Sequence, residues 1–132
     1  MAVMSVSLRS ITDTQAAIGW AGSHSVVIDR PEGRAGGMGL GFNGGQMIAL
    51  AIGGCYCNDL RYVAEAMGIA IHAIAVEVDI ELDGTPALIK GATVRVSVDA
   101  DGPVDALVAR ANADSTVANS IRHGFPISMV PA

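Results

Sequence analysis

The chain has 132 residues, which is enough for one domain with a hydrophobic core. Hydrophobic residues make up 51% of it but aromatic residues only 4%, and the formal net charge of −5 comes without a basic cluster, which argues against nucleic acid and anionic membranes as partners. The N-terminus lacks a signal-peptide pattern and the two cysteines are spaced C-x-C, so we expect a reduced, cytoplasmic setting.

Three short strands are predicted before the first long helix. Residues 3–9 alternate apolar and polar side chains, and two further runs, Ala16–Trp20 and Ser25–Asp29, flank a tight connection at residues 21–23. His24, near the start of the third strand, is interpreted as a surface residue rather than a catalytic one.

Residues 33–45 contain seven glycines and form a predicted loop. Gly37–Gly41 reads G-x-G-x-G, but no lysine follows, so the pattern of a phosphate-binding loop is incomplete. The pattern favours a flexible loop that passes close to another backbone segment before it enters the helix.

The longest helical pattern in the chain runs from Asn43 to Gly68. Asn43 and Gln46 have the spacing of a capping box, and Gly68 is suited to the left-handed position after the last turn. Side chains from Met47 to Gly54 are all apolar or absent, so this half has no face suited to water and is expected to be buried in a large core or between two subunits. The apolar run is too short and too rich in glycine to span a bilayer.

Two strands are predicted after this helix. Ile74–Leu82 and Ala92–Val98 both alternate with period two, and a turn at Asp83-Gly84 lies between them. We expect the two strands to pair antiparallel, with Arg95 facing the acidic side of its neighbour.

The rest of the chain predicts two helices and a last strand. A helix starts at Asp101-Gly102-Pro103, breaks at residues 112–115 and is followed by a shorter helix over Thr116–Arg122 that ends at Gly124. Phe125–Val130 is predicted as an extended edge strand. The order of elements predicts an α+β fold with a mainly antiparallel sheet wrapped around the long central helix.

The two cysteines cannot act as a pair. Cys55 and Cys57 are two positions apart on a helix and therefore point roughly 200° away from each other. This geometry excludes a disulfide between them and a shared metal site, and we predict neither a metal nor a cofactor. Either cysteine is a small buried residue or, if a nearby cation or donor supports the thiolate, a reactive thiol.

Several motifs resemble the OsmC/Ohr family. The run N-G-G-Q-M-I-A-L-A-I-G-G-C at 43–55 resembles the family's N-P-E-[EQ]-L-L-x-A-x-x-x-x-C, and S-T-V-A-N-S-I-R-H-G at 115–124 resembles its C-P-V-S-N-S-L-R-x-G. Asp59, Gly68-Ile69 and the strand IAVEVDIEL are also similar to OsmC-like members. The likeness covers most of the chain.

The resemblance implies one OsmC-like domain over 1–132 and an intertwined homodimer whose two long helices lie back to back. It also implies thiol-dependent reduction of organic or inorganic hydroperoxides, with Cys55 matching the cysteine that is oxidised to sulfenic acid. In the family a second cysteine resolves this acid as a disulfide, and an arginine and a glutamate hold the first as thiolate.

The chain departs from the family pattern at these supporting positions. Ser115 stands in place of the resolving cysteine, and Gly45 in place of the glutamate. Arg30 and Arg34 lie in the appropriate half of the chain, but neither matches the family's arginine context. Cys57 cannot replace the resolving cysteine because of its direction on the helix.

Three hypotheses remain open. The first is a hydroperoxide reductase that uses Cys55 alone and is reduced by an external thiol. The alternative is a catalytically degenerate OsmC-like dimer that binds a small apolar ligand in the cleft between subunits near Cys55, and the third is a scaffold without a site. Asp59, one turn after Cys55, is interpreted as a structural contact rather than an acid or base.

Overall fold

The structure is a computed structural model that describes residues 1–132, and it contains five strands and three helices. The strands are β1 (Ser7–Ser10), β2 (Ala17–Ala21), β3 (His24–Ile28), β4 (Ile71–Asp83) and β5 (Leu88–Ala100), and the helices are α1 (Gly44–Met67), α2 (Val104–Asp114) and α3 (Thr116–His123). The predicted α+β class is confirmed, and so is the predicted order of the elements from the first strand to α3. None of the helices combines the length and hydropathy that crossing a membrane requires.

The strands form two sheets, and both are antiparallel as predicted. One sheet has the order β1-β2-β3 and the other pairs β4 with β5. The chain divides into two compact units, residues 1–47 and residues 48–132, and the boundary falls within α1. The assignment of 1–132 as one domain stays a prediction.

The first strand is shorter than predicted. β1 begins at Ser7, which pairs with Trp20 of β2, instead of at residue 3. β2 has only one residue after Trp20 before the turn at Gly22, where φ is +59°, so residues 3–5 have no partner along β2.

The glycine-rich loop passes close to backbone, as predicted. A Cβ atom added to Gly41 would lie 2.1 Å from the carbonyl oxygen of Val27, and one added to Gly37 would lie 2.6 Å from that of Arg30. Side chains are therefore excluded at both positions by the neighbouring main chain. This close approach explains two of the seven glycines.

The loop's amides already have an anionic acceptor within the protein. Asp29 is buried, and its Oδ2 accepts N–H groups from Met38 and Leu40 at 3.0 Å each, while its Oδ1 accepts the N–H of Arg30 at 2.8 Å. These hydrogen bonds, that of Leu40 most strongly, and the nearby Arg30 guanidinium hold the pKa of Asp29 below its ordinary value. The amides that a phosphate group would need are thus occupied by a carboxylate.

Helix α1 begins and ends as its sequence predicts. The amide of Asn43 donates to Gln46 Oε1 at 3.0 Å and that of Gln46 to Asn43 Oδ1 at 2.9 Å, and Gly68 has φ +67°. The burial of its apolar half is incomplete in one copy of the chain, because Ile48 and Leu50 are 40% and 50% exposed. The sequence predicted that this half of the helix is buried either in a large core or between two subunits. A single copy of the chain does not bury it fully.

The hydrophobic core of residues 48–132 lies between α1, the β4–β5 hairpin, α2 and α3. One cluster is centred on Leu60 and Leu107, which are 1% and 0% exposed. A second cluster joins Ile52 and Tyr56 of α1 to Ala118 of α3. The inner faces of β4 and β5 cover both clusters with alternating aliphatic side chains, as the period-two patterns predicted.

The outer face of this hairpin is charged. Arg95 lies opposite Glu77 in the register and forms ion pairs with Glu77 at 3.3 Å and with Asp79 at 2.8 Å. These contacts confirm the prediction that Arg95 faces the acidic side of β4. All three side chains are more than half exposed, so the pairs contribute little to stability.

The predicted last strand is wrong for one copy of the chain. Residues 124–132 form no regular element and pair with no other strand, and Ile127 and Met129 are 87% and 98% exposed. No edge of either sheet pairs with this segment, and Pro126 has no amide N–H to donate to a neighbouring strand. α3 ends at Gly124, where φ is +74°, as the sequence predicted.

Candidate functional site

The sulfur of Cys55 lies between a carboxylate and a hydroxyl group. It donates a hydrogen bond to Asp59 Oδ2 at 3.4 Å, one helical turn further along α1. It accepts a hydrogen bond from Ser115 Oγ at 3.6 Å. The cysteine is half-buried, so the sulfur is not sealed inside the core.

Ser115 is fixed by the junction between α2 and α3. It ends α2 and is the N-cap of α3, where its Oγ accepts the amide N–H of Ala118 at 3.4 Å. Its exposed fraction is 0%. The hydroxyl group therefore uses its acceptor capacity on the helix and its one proton on the sulfur, and the break predicted at residues 112–115 is what directs this side chain to Cys55.

The charged group next to the Cys55 sulfur is the carboxylate of Asp59. Within residues 48–132, no arginine, lysine or histidine makes a hydrogen bond with Cys55, and Asp59 is the ionisable group in contact with it. A carboxylate accepts a proton from a thiol but does not stabilise a negative charge beside it. The contacts of the sulfur within residues 48–132 therefore supply no positive charge to pair with a thiolate.

The other candidate residues make contacts of their own. Cys57 is a free cysteine, as is Cys55, in agreement with their directions on the helix. Arg30 binds Asp29 at 3.3 Å and also donates to the carbonyl oxygen of Gln15, so its guanidinium is engaged within residues 1–47. His24 is an exposed residue at the start of β3, which confirms its interpretation as a surface histidine.

A second polar cluster was not predicted from the sequence. Tyr56 Oη donates to Asn112 Oδ1 at 2.6 Å, and Arg122 Nη2 donates to the same oxygen at 2.8 Å and to Tyr56 Oη at 3.3 Å. Arg122 also donates from Nη1 to Asn119 Oδ1 at 2.9 Å. Tyr56 and Arg122 are 66 residues apart, so no local motif joins them. The cluster lines a cavity of about 320 Å³.

One family model matches this sequence. The model described as OsmC-like protein matches residues 36–130, which include Cys55, Asp59 and Ser115. No protein with curated annotation is significantly similar in sequence.

Solved structures have the same fold at low sequence identity. An OsmC-like protein of unknown function from Vibrio cholerae is 12% identical, with a TM-score of 0.77 over 91% of this chain and 94% of that one. An organic hydroperoxide resistance protein OsmC from Legionella pneumophila is 23% identical, with a TM-score of 0.61 over 92% of each chain. The organic hydroperoxide resistance protein OhrB of Bacillus subtilis is also 23% identical, with a TM-score of 0.64 over 91% and 90%. At these identities the likeness establishes a common fold.

Proposed function

This chain belongs to the OsmC-like protein family, and on that premise we propose that it is a thiol-dependent hydroperoxide reductase that uses Cys55 alone. Two structural relatives are named for organic hydroperoxide resistance. The observation that carries the proposal is the 3.6 Å contact between Cys55 Sγ and Ser115 Oγ. It supports the residue match on which the chemistry depends, because the resemblance places Ser115 at the position of the family's second cysteine.

The serine at this contact defines the reaction cycle. The Cys55 thiolate attacks the terminal oxygen of ROOH, the O–O bond breaks, and the products are Cys55 sulfenic acid and, after protonation, ROH. Ser115 cannot form a disulfide, so an external thiol R′SH condenses with the sulfenic acid and releases water. A second R′SH then attacks the mixed disulfide, which restores Cys55 and releases R′SSR′.

The thiolate needs a cation, and we propose that a second copy of the chain contributes it as part of a homodimer. Support for the dimer comes from the exposed apolar side chains that one copy leaves uncovered, including Leu50 of α1 and Ile127 and Met129 of the C-terminal segment. Arg34 forms no ion pair, whereas Arg30 is engaged by Asp29. Arg34 is therefore the better candidate of the two arginines considered above.

Sedimentation tests the assembly. The wild-type chain is expected to sediment as a dimer at micromolar concentration, and Leu50→Arg to shift it toward monomer, while Lys90→Glu on an exposed part of β5 leaves it unchanged. A wild-type chain that is a stable folded monomer would contradict both the dimer and the source of the cation.

Peroxide consumption tests the chemistry. Cumene hydroperoxide is mixed with the protein and excess dithiothreitol, and its loss is compared for wild type, Cys55→Ser and the matched control Cys57→Ser. We expect turnover in wild type and Cys57→Ser and none above background in Cys55→Ser, with sulfenic acid trapped by dimedone at Cys55 alone. Equal rates for wild type and Cys55→Ser would refute the proposal.

A second candidate function has one observation in its favour. The carboxylate of Asp59 in contact with the sulfur opposes thiolate formation, which suits a dimer that has lost peroxide chemistry and binds a small apolar ligand between its subunits. This alternative predicts ordinary thiol reactivity at Cys55 and no peroxide consumption. Alkylation of native protein by iodoacetamide across pH separates it from the first candidate.

A further inference from the structure

A cavity of about 320 Å³ lies on a different face of α1 from Cys55. Tyr56 and Leu60 of α1 form one side, Val94 and Val96 of β5 another, and Val108 of α2 a third. Because successive residues on a helix are about 100° apart, Tyr56 directs its side chain away from the Cys55 sulfur. The cavity is thus separate from the thiol site and lies wholly within residues 48–132.

The mouth of the cavity carries one positive charge. Arg122 donates to Asn112 Oδ1, Tyr56 Oη and Asn119 Oδ1, which are all neutral acceptors. It takes part in no ion pair within 4.0 Å, whereas Arg30, Arg95 and Arg110 each contact a carboxylate. The three neutral acceptors fix the direction of the guanidinium but leave its charge uncompensated.

The orientation of this cation is fixed by acceptors that are themselves linked by a hydrogen bond. Tyr56, which is 7% exposed, donates to Asn112 Oδ1 at 2.6 Å, so the two acceptors that hold Nη2 are themselves bonded to each other. None of the hydrogen bonds found for Arg122 uses Nε. The Nε–H group is therefore free to donate one charge-assisted hydrogen bond to a carboxylate oxygen.

From this combination we infer that the cavity binds a small aliphatic carboxylate, whose anionic group meets Arg122 and whose chain lies against Val94, Val96 and Val108. At about 30 Å³ for each water-sized group, the cavity has room for about ten non-hydrogen atoms. Aliphatic walls with one convergent polar cluster are typical of ligand sites of this size. The site is independent of peroxide reduction at Cys55.

Calorimetric titration with sodium hexanoate and with hexanamide, its uncharged analogue, tests the site. Wild type is expected to bind hexanoate about tenfold more tightly than hexanamide, since a charge-assisted pair contributes more than a neutral one. Arg122→Gln should remove that preference, and Arg122→Lys should retain part of it. Arg110→Gln, which changes an arginine of α2 paired with Asp114, is the matched control and should bind as wild type does.

Two further measurements test the proposed site without relying on the Arg122→Gln variant. Methyl NMR of the wild-type protein should localise hexanoate-induced shifts to Val94, Val96 and Val108, whether or not Arg122→Gln folds well. Cys55→Ser should bind hexanoate as tightly as wild type, so failure of the peroxidase proposal leaves this one standing. Equal affinity for hexanoate and hexanamide in wild type, unchanged hexanoate binding in folded Arg122→Gln, or methyl shifts confined to other parts of the chain would overturn the inference.

Discussion

Ser115 Oγ and Cys55 Sγ are 3.6 Å apart although the two residues are 60 positions apart in the sequence. The serine is wholly buried and also caps α3 through the amide of Ala118. Because Ser115 is buried and its hydroxyl group is also bonded to α3, the fold fixes the distance between Oγ and Sγ. The position therefore allows a direct test of whether a sulfur atom there would complete a two-cysteine site.

Ser115→Cys is expected to form a disulfide with Cys55 when the protein is treated with one equivalent of peroxide. The sulfenic acid at Cys55 would condense with the new thiol and release water. Loss of the N-cap should lower the free energy of unfolding by about 1 kcal/mol in the reduced protein. Intact mass and thiol titration with and without reductant measure the bond.

Thr116→Cys is the matched control for this substitution, because it adds a thiol one residue further along without the contact to Sγ. It should leave Cys55 as sulfenic acid or a mixed disulfide with added thiol. If oxidised Ser115→Cys contains no disulfide between Cys55 and the introduced cysteine, the contact is not a productive geometry.

Asp59→Asn is expected to increase the rate at which iodoacetamide alkylates Cys55 at neutral pH. The carboxylate in contact with Sγ accepts the thiol proton and repels a thiolate, so its neutral analogue removes that repulsion. A partly exposed pair of this kind corresponds to about 1 kcal/mol or less, or roughly a two- to fivefold change in rate.

Peptide mapping of the alkylated protein measures the rate at Cys55 and, as an internal reference, at Cys57. The Cys57 rate should not change, because that side chain points away from Asp59. A slower reaction of Cys55 in Asp59→Asn would instead identify Asp59 as the base that removes the thiol proton.

Gly41→Ala should destabilise the protein by about 1–3 kcal/mol or more, because the added methyl group would meet the Val27 carbonyl at 2.1 Å. Gly44→Ala is the matched control, since its added Cβ meets no atom within 4 Å and it lies in the first turn of α1. Alanine there should be neutral or stabilising by up to about 1 kcal/mol. Urea unfolding compares the two variants, and equal midpoints would mean that the loop moves to accept the methyl group.

The sequence predicted most accurately the structural features that depend on residues close together in the chain. The capping pair of Asn43 and Gln46 and the stop at Gly68 depend on a few consecutive residues, and all formed as expected. The period-two strands also formed, because alternation reports directly on which side chains are buried. The C-terminal strand failed because a strand requires a partner edge, which its own residues do not encode.

The candidate site was predictable only in part. Cys55 and its relation to Ser115 followed from the resemblance to a family, since no spacing rule joins residues 60 positions apart. The cluster of Tyr56, Asn112 and Arg122 was not predicted, because the motif at residues 115–124 that contains Arg122 does not indicate a contact with Tyr56, 66 residues away. Such contacts depend on how α1 packs against α2 and α3.

The stability of the glycine-rich loop should fall in acid because of Asp29. Hydrogen bonds from the backbone, that of Leu40 foremost, hold the pKa of this carboxyl below its ordinary value of 3.8. A group whose pKa is lowered by folding contributes its full stabilisation above the unfolded value and loses it as the pH falls through the folded value. The contribution of Asp29 is therefore complete above about pH 5 and declines below about pH 4.

Urea midpoints for wild type and Asp29→Asn between pH 7 and pH 3 isolate this contribution from that of the other acids. The introduced amide has only one acceptor atom for the N–H groups of Arg30, Met38 and Leu40, so the variant should be less stable at pH 7. The difference from wild type should narrow as the pH falls below about 4, because the unfolded wild-type chain then binds a proton at Asp29 more readily than the folded protein does. Asp83→Asn, whose carboxylate accepts one amide in an exposed turn, is the control and should leave the midpoint nearly unchanged. A difference between wild type and Asp29→Asn that stays constant down to pH 3 would mean that the loop is held by its shape and not by the charge of Asp29.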